Sequence, residues 1–329
     1  MGSIPPRLRL AGLPTPLMRL DRLSAAWGGP AIWVKRDDLT GFGLSGNKVR
    51  KLEFHLGAAE EARASTVVTC GAAQSNHCRA TAVAAARIGV RCVLFLRTPD
   101  GLPPSSTVGN HLISVLAGAD VRFVDPAWYA ERDAHMREYA EGSAGGNTWV
   151  IPEGASDGLG MWGYVTAAEE LSEQLAAENL RDVVVWHAAS SGGTTAGIAA
   201  HAGLSDLTSR LVAVSVSDPA SMLAARISAI WAEAFGDDAG GNDLAAIEIR
   251  DDFLGGGYGI ASEAELRIQA EASSLTGLIF DPTYTGKAIF ALHQEVSQGL
   301  IDPTSHVLFW HTGGGFGALG YDYGVALPK

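Results

Sequence analysis

Lys48 is the residue whose chemistry the rest of this chain could serve. It stands where a glycine-rich loop meets a helical pattern, in Gly41-Phe-Gly-Leu-Ser-Gly-Asn-Lys-Val-Arg-Lys-Leu-Glu-Phe54. Glycine lets the loop bend and come close to a ligand. Val49, Leu52 and Leu56 recur along one face, which predicts an amphipathic helix from Asn47 to Arg63 with Lys48 in its first turn. An amine placed there is either a solvated charge or, beside a carbonyl, a nucleophile that forms a Schiff base.

Five polar islands elsewhere could act with it. Ser190-Ser-Gly-Gly-Thr-Thr-Ala-Gly197 follows an apolar strand and opens a helix, so its amides lie at the positive end of the helix dipole. Its small side chains let a phosphate close in, and Ser191 and Thr194 add hydroxyls. The loop carries no basic residue, so a phosphate monoester suits it better than a triphosphate with magnesium. A plain strand-to-helix turn has a similar composition. Gln74-Ser-Asn-His77 occupies another strand end, where open sheets place ligands, although Ser75 or Asn76 would also serve as a helix cap. Asp281-Pro-Thr-Tyr-Thr-Gly-Lys287, Gly255-Gly-Gly-Tyr-Gly259 and His311-Thr-Gly-Gly-Gly315 complete the set, and the tyrosines they carry serve packing as readily as catalysis.

The elements that must position these islands alternate. Ala31–Lys35, Thr66–Cys70, Arg91–Leu96, Asp120–Val124 and Trp149–Pro152 read as strands, with helices from Asn47, after His77 and from Gly109 to Leu116 between them. After the glycine-rich crossing Gly154–Gly160 a second series begins, with strands Asp182–His187, Leu211–Val216 and Val307–Trp310. Its helices are predicted over Gly163–Glu178, Ser221–Phe235 and Ser262–Leu275. This alternation predicts mostly parallel sheets covered on both faces. Asp125–Gly146 reads as one peripheral helix and Gly236–Asp243 as a surface loop. The literal Gly41-x-Gly43-x-x-Gly46 spacing is a poor dinucleotide site, because the charged connector Arg36-Asp-Asp-Leu-Thr40 separates it from its strand. Asn47, where a P-loop would have its lysine, argues against that reading too.

Composition narrows the class. The chain of 329 residues has room for two domains, and its net charge of −12 opposes binding to nucleic acid or to an anionic membrane. No run reaches the roughly 18 apolar residues of a membrane span, and Met1–Leu10 has no long apolar leader, so a soluble, cytoplasmic protein is expected. Cys70, Cys78 and Cys92 show neither a disulfide framework nor metal-type spacing.

A loop-borne lysine, a phosphate cradle and hydroxyl-rich strand ends together suggest pyridoxal 5′-phosphate, held through its aldehyde by Lys48. At these motifs, and at Pro14–Leu17, Val34–Asp38 and Val150–Gly154, the chain resembles the D-cysteine desulfhydrases and 1-aminocyclopropane-1-carboxylate deaminases. These are pyridoxal-phosphate enzymes of the two-lobed, three-layer αβα tryptophan-synthase-β-like fold, fold type II. The resemblance implies that Lys48 bonds the cofactor and that Lys51, with Ser191, Gly192, Gly193 and Thr194, holds its phosphate. It places Asn76 at the cofactor's 3′-oxygen and Ser75 near the substrate carboxylate and the catalytic proton, with Tyr258 and Tyr284 as paired active-site tyrosines. Thr285 and Thr312 would meet the ring nitrogen, while Ser75, Asn76, His77, Trp162 and Tyr284 would face a small amino-acid substrate. Threonine after Tyr284 and after His311 is the desulfhydrase pattern, since it leaves the ring nitrogen closer to neutral than a carboxylate would. Cys78, Ala72-Ala73 and Met161-Trp162 depart from the family pattern, and Trp162 is expected to reshape the pocket. The expected product is a 2-oxo acid with ammonia and sulfide; L-cysteate desulfonation, cyclopropane deamination and non-catalytic binding remain alternatives. The resemblance also implies a homodimer, a larger lobe from 1–47 and 160–329, and a smaller one from 48–159.

Overall fold

The computed structural model describes residues 4–142, 147–236 and 243–323. Among them are ten strands: β1 (Leu17–Arg19), β2 (Ala31–Arg36), β3 (Thr66–Ala72), β4 (Arg91–Arg97), β5 (Asp120–Val124), β6 (Thr148–Val150), β7 (Val183–Ala189), β8 (Thr208–Ser215), β9 (Ile247–Arg250) and β10 (His306–His311). They form a six-stranded sheet in the order β1-β2-β10-β7-β8-β9 and a four-stranded sheet in the order β5-β4-β3-β6. Every pairing is parallel except that of the short edge strand β1 with β2. Apolar runs such as Val183–Trp186 are buried on both faces, as sheets sandwiched between helices require.

This order brings the islands together. β2, β10 and β7 are neighbours, so the loop to Lys48, the turn His311–Gly315 and the loop from Ser190 leave adjacent carboxyl ends of one sheet. Gln74–His77 leaves β3 of the other sheet and opens the helix Asn76–Ile88.

Elements not anticipated include β1, the helix Asp21–Trp27, β9, the short helices Ala202–Ser205 and Gly315–Leu319, and the helix Thr285–Ser297, whose first turn lies inside the island Asp281–Lys287. The single helix expected over Asp125–Gly146 is two, Pro126–Ala130, which the Asp125 carboxylate caps by accepting the Trp128 amide at 2.8 Å, and Arg132–Gly142; the backbone leaves the helical region between them at Glu131 (φ −106°, ψ 20°). Residues 143–146, and 237–242 of the loop expected at Gly236–Asp243, lie outside the described residues.

The helix Lys48–Glu61 departs most from expectation. Instead of one buried face it is buried nearly all round, Arg50, Lys51, Glu53 and His55 included. Each of these polar side chains has a partner. Arg7 and the amides of Leu10 and Ala11 meet the Glu53 carboxylate, and His55 Nε2 lies 3.0 Å from Asp157 Oδ1. Arg50 donates from Nε and Nη2 to the two oxygens of Asp37 at 3.0 and 2.8 Å, and from Nη1 to Glu170 at 3.0 Å. Asp37 also accepts from Tyr164, Trp310 and Thr15 at 2.6, 2.9 and 2.8 Å, and Lys35 closes the network on Glu170. Burial works against the charge on Asp37, yet Arg50 outweighs it and holds the carboxyl below its usual range.

Asp37→Ala leaves the buried Arg50 guanidinium short of a partner, and urea titration should read a loss of about 3–5 kcal/mol. A loss below about 1 kcal/mol would mean that water solvates the network. The depressed Asp37 carboxyl stabilises the fold fully above the unfolded carboxylate range, and that contribution fades as pH falls through the lowered value.

Candidate active site

A cavity at the seam of the two sheets is lined by Lys48, Asn76, Ser191, Gly192, Thr194, Tyr284 and Thr312, all anticipated from the sequence, together with Asn47 and Thr195. Lys48 keeps part of its surface open to this cavity, but its amine is desolvated. Burial lowers its pKa to about 8, against the nearby Glu153 charge, which raises it. The amine of Lys51, one turn further along, is pushed well below the usual lysine range by burial and by Lys48. It donates to Ser156 Oγ at 2.7 Å, and Ser156 Oγ lies 2.6 Å from Ser191 Oγ. Two amines and two hydroxyls thus form a continuous chain into the loop Ser190–Thr195.

That loop is closed to side chains where an anion would sit. Gly192 has φ +88°, and a Cβ on Gly193 would come within 2.8 Å of Ser156 Oγ. Gly154, at φ +73°, would bring a Cβ 2.8 Å from Ser191 Oγ and 3.3 Å from Lys48 Nζ. Asn47 Nδ2 donates to Thr194 Oγ1 at 3.0 Å, pinning the loop to the residue before Lys48. Thr195 Oγ1 is buried without a partner. Hydroxyls, helix-terminal amides and an orphaned hydroxyl make a cradle for a group that accepts several hydrogen bonds.

The opposite wall is built from the other sheet. Ser75 caps its helix by accepting the Cys78 amide at 3.2 Å, which leaves the Ser75 hydroxyl proton available. Asn76 Oδ1 accepts from Asn110 Nδ2 at 3.0 Å. Arg79 Nε donates to Asn110 Oδ1 at 3.1 Å, and its other nitrogens donate to the Gly43 and Ser45 carbonyls at 2.6 and 2.7 Å, so one guanidinium ties this wall to the Lys48 loop. Tyr258 and Tyr284 meet hydroxyl to hydroxyl at 2.6 Å. Burial raises the pKa of Tyr258 to about 12 and that of Tyr284 well above the usual phenol range.

Of the other anticipated residues, Ser75, Lys51 and Gly193 lie behind the lining and Tyr258 faces an adjoining space, while three more are turned away from the cavity. His77 is buried, with Nε2 2.7 Å from Thr69 Oγ1; Thr69 spends its own proton on the Ile151 carbonyl at 2.7 Å, so His77 is the donor and its ring is engaged inside the protein. Trp162 opens the helix Trp162–Ala177 and packs in the core, its ring 6.0 Å from that of Phe235, so it does not shape the cavity wall. Thr285 is fully buried and donates to Asp281 Oδ1 at 2.8 Å. Sequence reasoning missed Ser156, Asn110, Arg79 and Glu153. Ser156 stood in the noted Gly154–Gly160 stretch, and Arg79 lies one helical turn after Asn76, but only the fold joins them to the site.

Residues 8–313 match the family model described as pyridoxal-phosphate dependent enzyme. The chain belongs to this family. It is 39% identical over 320 residues to the mitochondrial bifunctional D-cysteine desulfhydrase/1-aminocyclopropane-1-carboxylate deaminase of Arabidopsis thaliana, covering 93% of this chain and 77% of that one. It is 38% identical to the D-cysteine desulfhydrase of Salmonella choleraesuis, covering 94% of each. Among solved structures, an ACC deaminase homologue superposes with a TM-score of 0.84 at 31% identity, covering 96% of this chain and 94% of that one. A fungal L-serine ammonia-lyase from Rhizomucor miehei shares the fold at 15% identity, with a TM-score of 0.66 over 93% of this chain and 94% of its own. The architecture is fold type II, and the family's cofactor is pyridoxal 5′-phosphate. The residues present fit it: the cradle at Ser191–Thr195 suits its phosphate, and the desolvated Lys48 amine suits its aldehyde.

A lysine of pKa about 8 is deprotonated far more readily near neutrality than an ordinary one. Cofactor-free protein mixed with pyridoxal 5′-phosphate should therefore turn yellow at a rate that rises with pH and levels off above about 8. A rate still climbing beyond pH ~10, the ordinary lysine range, would place Lys48 in water.

Proposed function

We propose that the chain is a pyridoxal-phosphate lyase that removes a sulfur substituent from the β-carbon of a small amino acid, as a D-cysteine desulfhydrase does. The observation that carries this reading is the lowered Lys48 amine facing the Ser191–Thr194 cradle across one cavity. The same reading gives the six-stranded sheet to a larger lobe, residues 1–47 and 160–329, and the four-stranded sheet to a smaller one, residues 48–159, with the site between them. A homodimer is part of it, supported by exposed apolar residues on neighbouring elements: Phe42 at 86%, Leu116 at 72% and Leu319 at 77% exposure. Three buried free cysteines suit a reducing, cytoplasmic setting.

When bound, pyridoxal 5′-phosphate supplies an electron sink for the charge that develops at the substrate α-carbon. Lys48 would hold the cofactor through its aldehyde, and its amine, whose pKa burial lowers to about 8 in the chain itself, is the base placed to take the substrate α-proton. Ser75, whose oxygen already accepts the Cys78 amide, donates its proton to the substrate carboxylate. Asn76, fixed by Asn110, would meet the cofactor's 3′-oxygen. Tyr284 and Tyr258, neutral and sharing a hydrogen bond, supply a proton to the departing sulfur. Thr312, on the cavity wall, would offer its hydroxyl to the ring nitrogen. With water the products from cysteine are pyruvate, ammonia and hydrogen sulfide.

Lys48→Ala should remove both turnover and the visible absorbance band, while Ser156→Ala, which breaks the link between Lys51 and Ser191, should weaken cofactor retention about tenfold. Normal turnover by Lys48→Ala would refute the assignment. Sulfide, sulfite and 2-oxobutyrate assayed from cysteine, cysteate and aminocyclopropane carboxylate, in both enantiomers where they exist, decide among the desulfhydrase, sulfo-lyase and deaminase readings. A colourless protein that stays colourless with added cofactor would point to a non-catalytic binder.

A further inference from the structure

We propose that, among cysteine thioethers, the chain favours those whose leaving group carries its own carboxylate or sulfonate tail, held by Arg97. The inference rests on the lyase reading above and names its substrate class. Beside the cavity of Lys48 opens a larger space of about 660 Å³. It shares Ser190 and Ser191 with that cavity and is joined to it again at Tyr258, whose hydroxyl meets Tyr284. Pockets for ligands of drug size span about 300–1,000 Å³, so this space has room well beyond the few atoms of cysteine.

Three guanidiniums and four carboxylates line this space; of the carboxylates, Asp133 stands beside Arg132 in the chain and Glu233, at the far end, accepts the Gly158 amide at 3.0 Å. The Tyr129 ring is flanked by two guanidiniums, Arg97 at 4.8 Å and Arg132 at 5.1 Å. The two are not equivalent. Arg132 is neutralised by Glu153 Oε2 at 3.0 Å, and the other oxygen of Glu153 accepts from Tyr129 at 2.6 Å. Arg226, at the far end of the space, is taken up by Asp218 at 2.8 Å. Arg97 lies over the Tyr129 ring without a carboxylate partner among the described residues, so it is the cation in this space with its charge unspent. It stands at the carboxyl end of β4, in register with Ala72 on β3, and so beside the loop that carries Ser75 and Asn76. Its charge is felt at the Tyr258 hydroxyl. A substrate with its α-carboxylate at Ser75 and its sulfur near Tyr284 would extend past Tyr258, and an anionic tail there meets a stacked guanidinium whose planar fork suits two oxygens.

The chemistry is the same elimination. R–S–CH2–CH(NH3+)–CO2− and water give R–SH, pyruvate and ammonium; the electron pair of the Cβ–S bond leaves with sulfur, and Lys48 carries off the α-proton.

The test measures pyruvate release by the holoenzyme from cysteine, S-carboxymethylcysteine and its uncharged counterpart S-ethylcysteine, each in both enantiomers. Wild type, Arg97→Gln and Arg97→Lys are compared. In the wild type, kcat/KM for the carboxymethyl substrate should exceed that for the ethyl one at least about tenfold, the scale of one charge-assisted hydrogen bond. Arg97→Gln should raise KM for the carboxymethyl substrate by about tenfold and leave the other two within about twofold, with Arg97→Lys intermediate. Equal use of the two thioethers by the wild type overturns the proposal. So does an equal rise in KM for cysteine in Arg97→Gln, because Arg97 would then bind the α-carboxylate common to all three. If holoenzyme carrying its visible band releases pyruvate from none of them, the lyase reading itself fails, and this proposal with it.

Discussion

The position of Lys48 depends on the burial of Arg50. The two residues share a helix and a turn, and a guanidinium in the core tolerates one placement only, the one that satisfies its donors. Asp37 from the end of β2 and Glu170 from the helix Trp162–Ala177 take those donors, while Trp310 of β10 and Tyr164 complete the coordination of Asp37. The network therefore fixes the rotation and the axial position of the helix against two adjacent strands of the six-stranded sheet. Apolar side chains of the same volume would often match it in stability. They would allow the helix to slide or turn, and a displacement of one residue would carry Lys48 out of the cavity by about 100° of rotation.

The same helix explains why the amine is reactive. Lys48 and Lys51 are both desolvated and close together, so burial lowers both, and the charge of Lys48 lowers Lys51 further while the hydrogen bond of Lys51 raises Lys48. Lys51 gives way further and hydrogen-bonds to Ser156. Lys48, which feels the charge of Glu153, keeps a pKa near 8. Through Ser156 and Ser191 this pair is in contact with the cradle, so an anion seated there raises the proton affinity of both amines. The charge of any anion in the cradle and the protonation of the two amines are in this way one electrostatic system.

What the sequence made legible was local. A strand, a glycine-rich turn and a helix lie within a few residues of one another, so the loops at Ser190–Gly197 and Gln74–His77 could be read directly, and strand order then made neighbours of the islands. What escaped was tertiary. Asn76 and His77 are consecutive, yet successive helix positions diverge by about 100°, so a cavity-facing Asn76 turns His77 toward Thr69 and the core. Arg50, Glu53 and His55 look like the wet face of an amphipathic helix until their partners, some of them more than a hundred residues away in the chain, are in place. Trp162 beside the glycine crossing suggested a pocket wall, and Phe235 drew it into the core. Asn110 and Arg79 had no local signature, because their task is to connect two loops.

The threonines illustrate how a correct pattern can act through different atoms. Thr285 follows Tyr284 at the start of its helix, and its hydroxyl donates to Asp281 while accepting the Asp281 amide at 2.9 Å. Asp281 in turn accepts the amides of Thr283, Tyr284 and Thr285 at 3.0, 2.9 and 3.0 Å. Burial raises the Asp281 pKa, and these donors work against that rise. The group is a closed hydrogen-bonded turn, and what it fixes is the backbone of Tyr284 and hence the contact of that tyrosine with Tyr258. With its only proton committed to a carboxylate, Thr285 can offer a partner nothing but a lone pair, whereas Thr312 stands on the cavity wall with no hydrogen bond from its hydroxyl among the described residues. Threonine at the two positions therefore does different things: the first holds the tyrosine, and the second presents its side chain to the cavity.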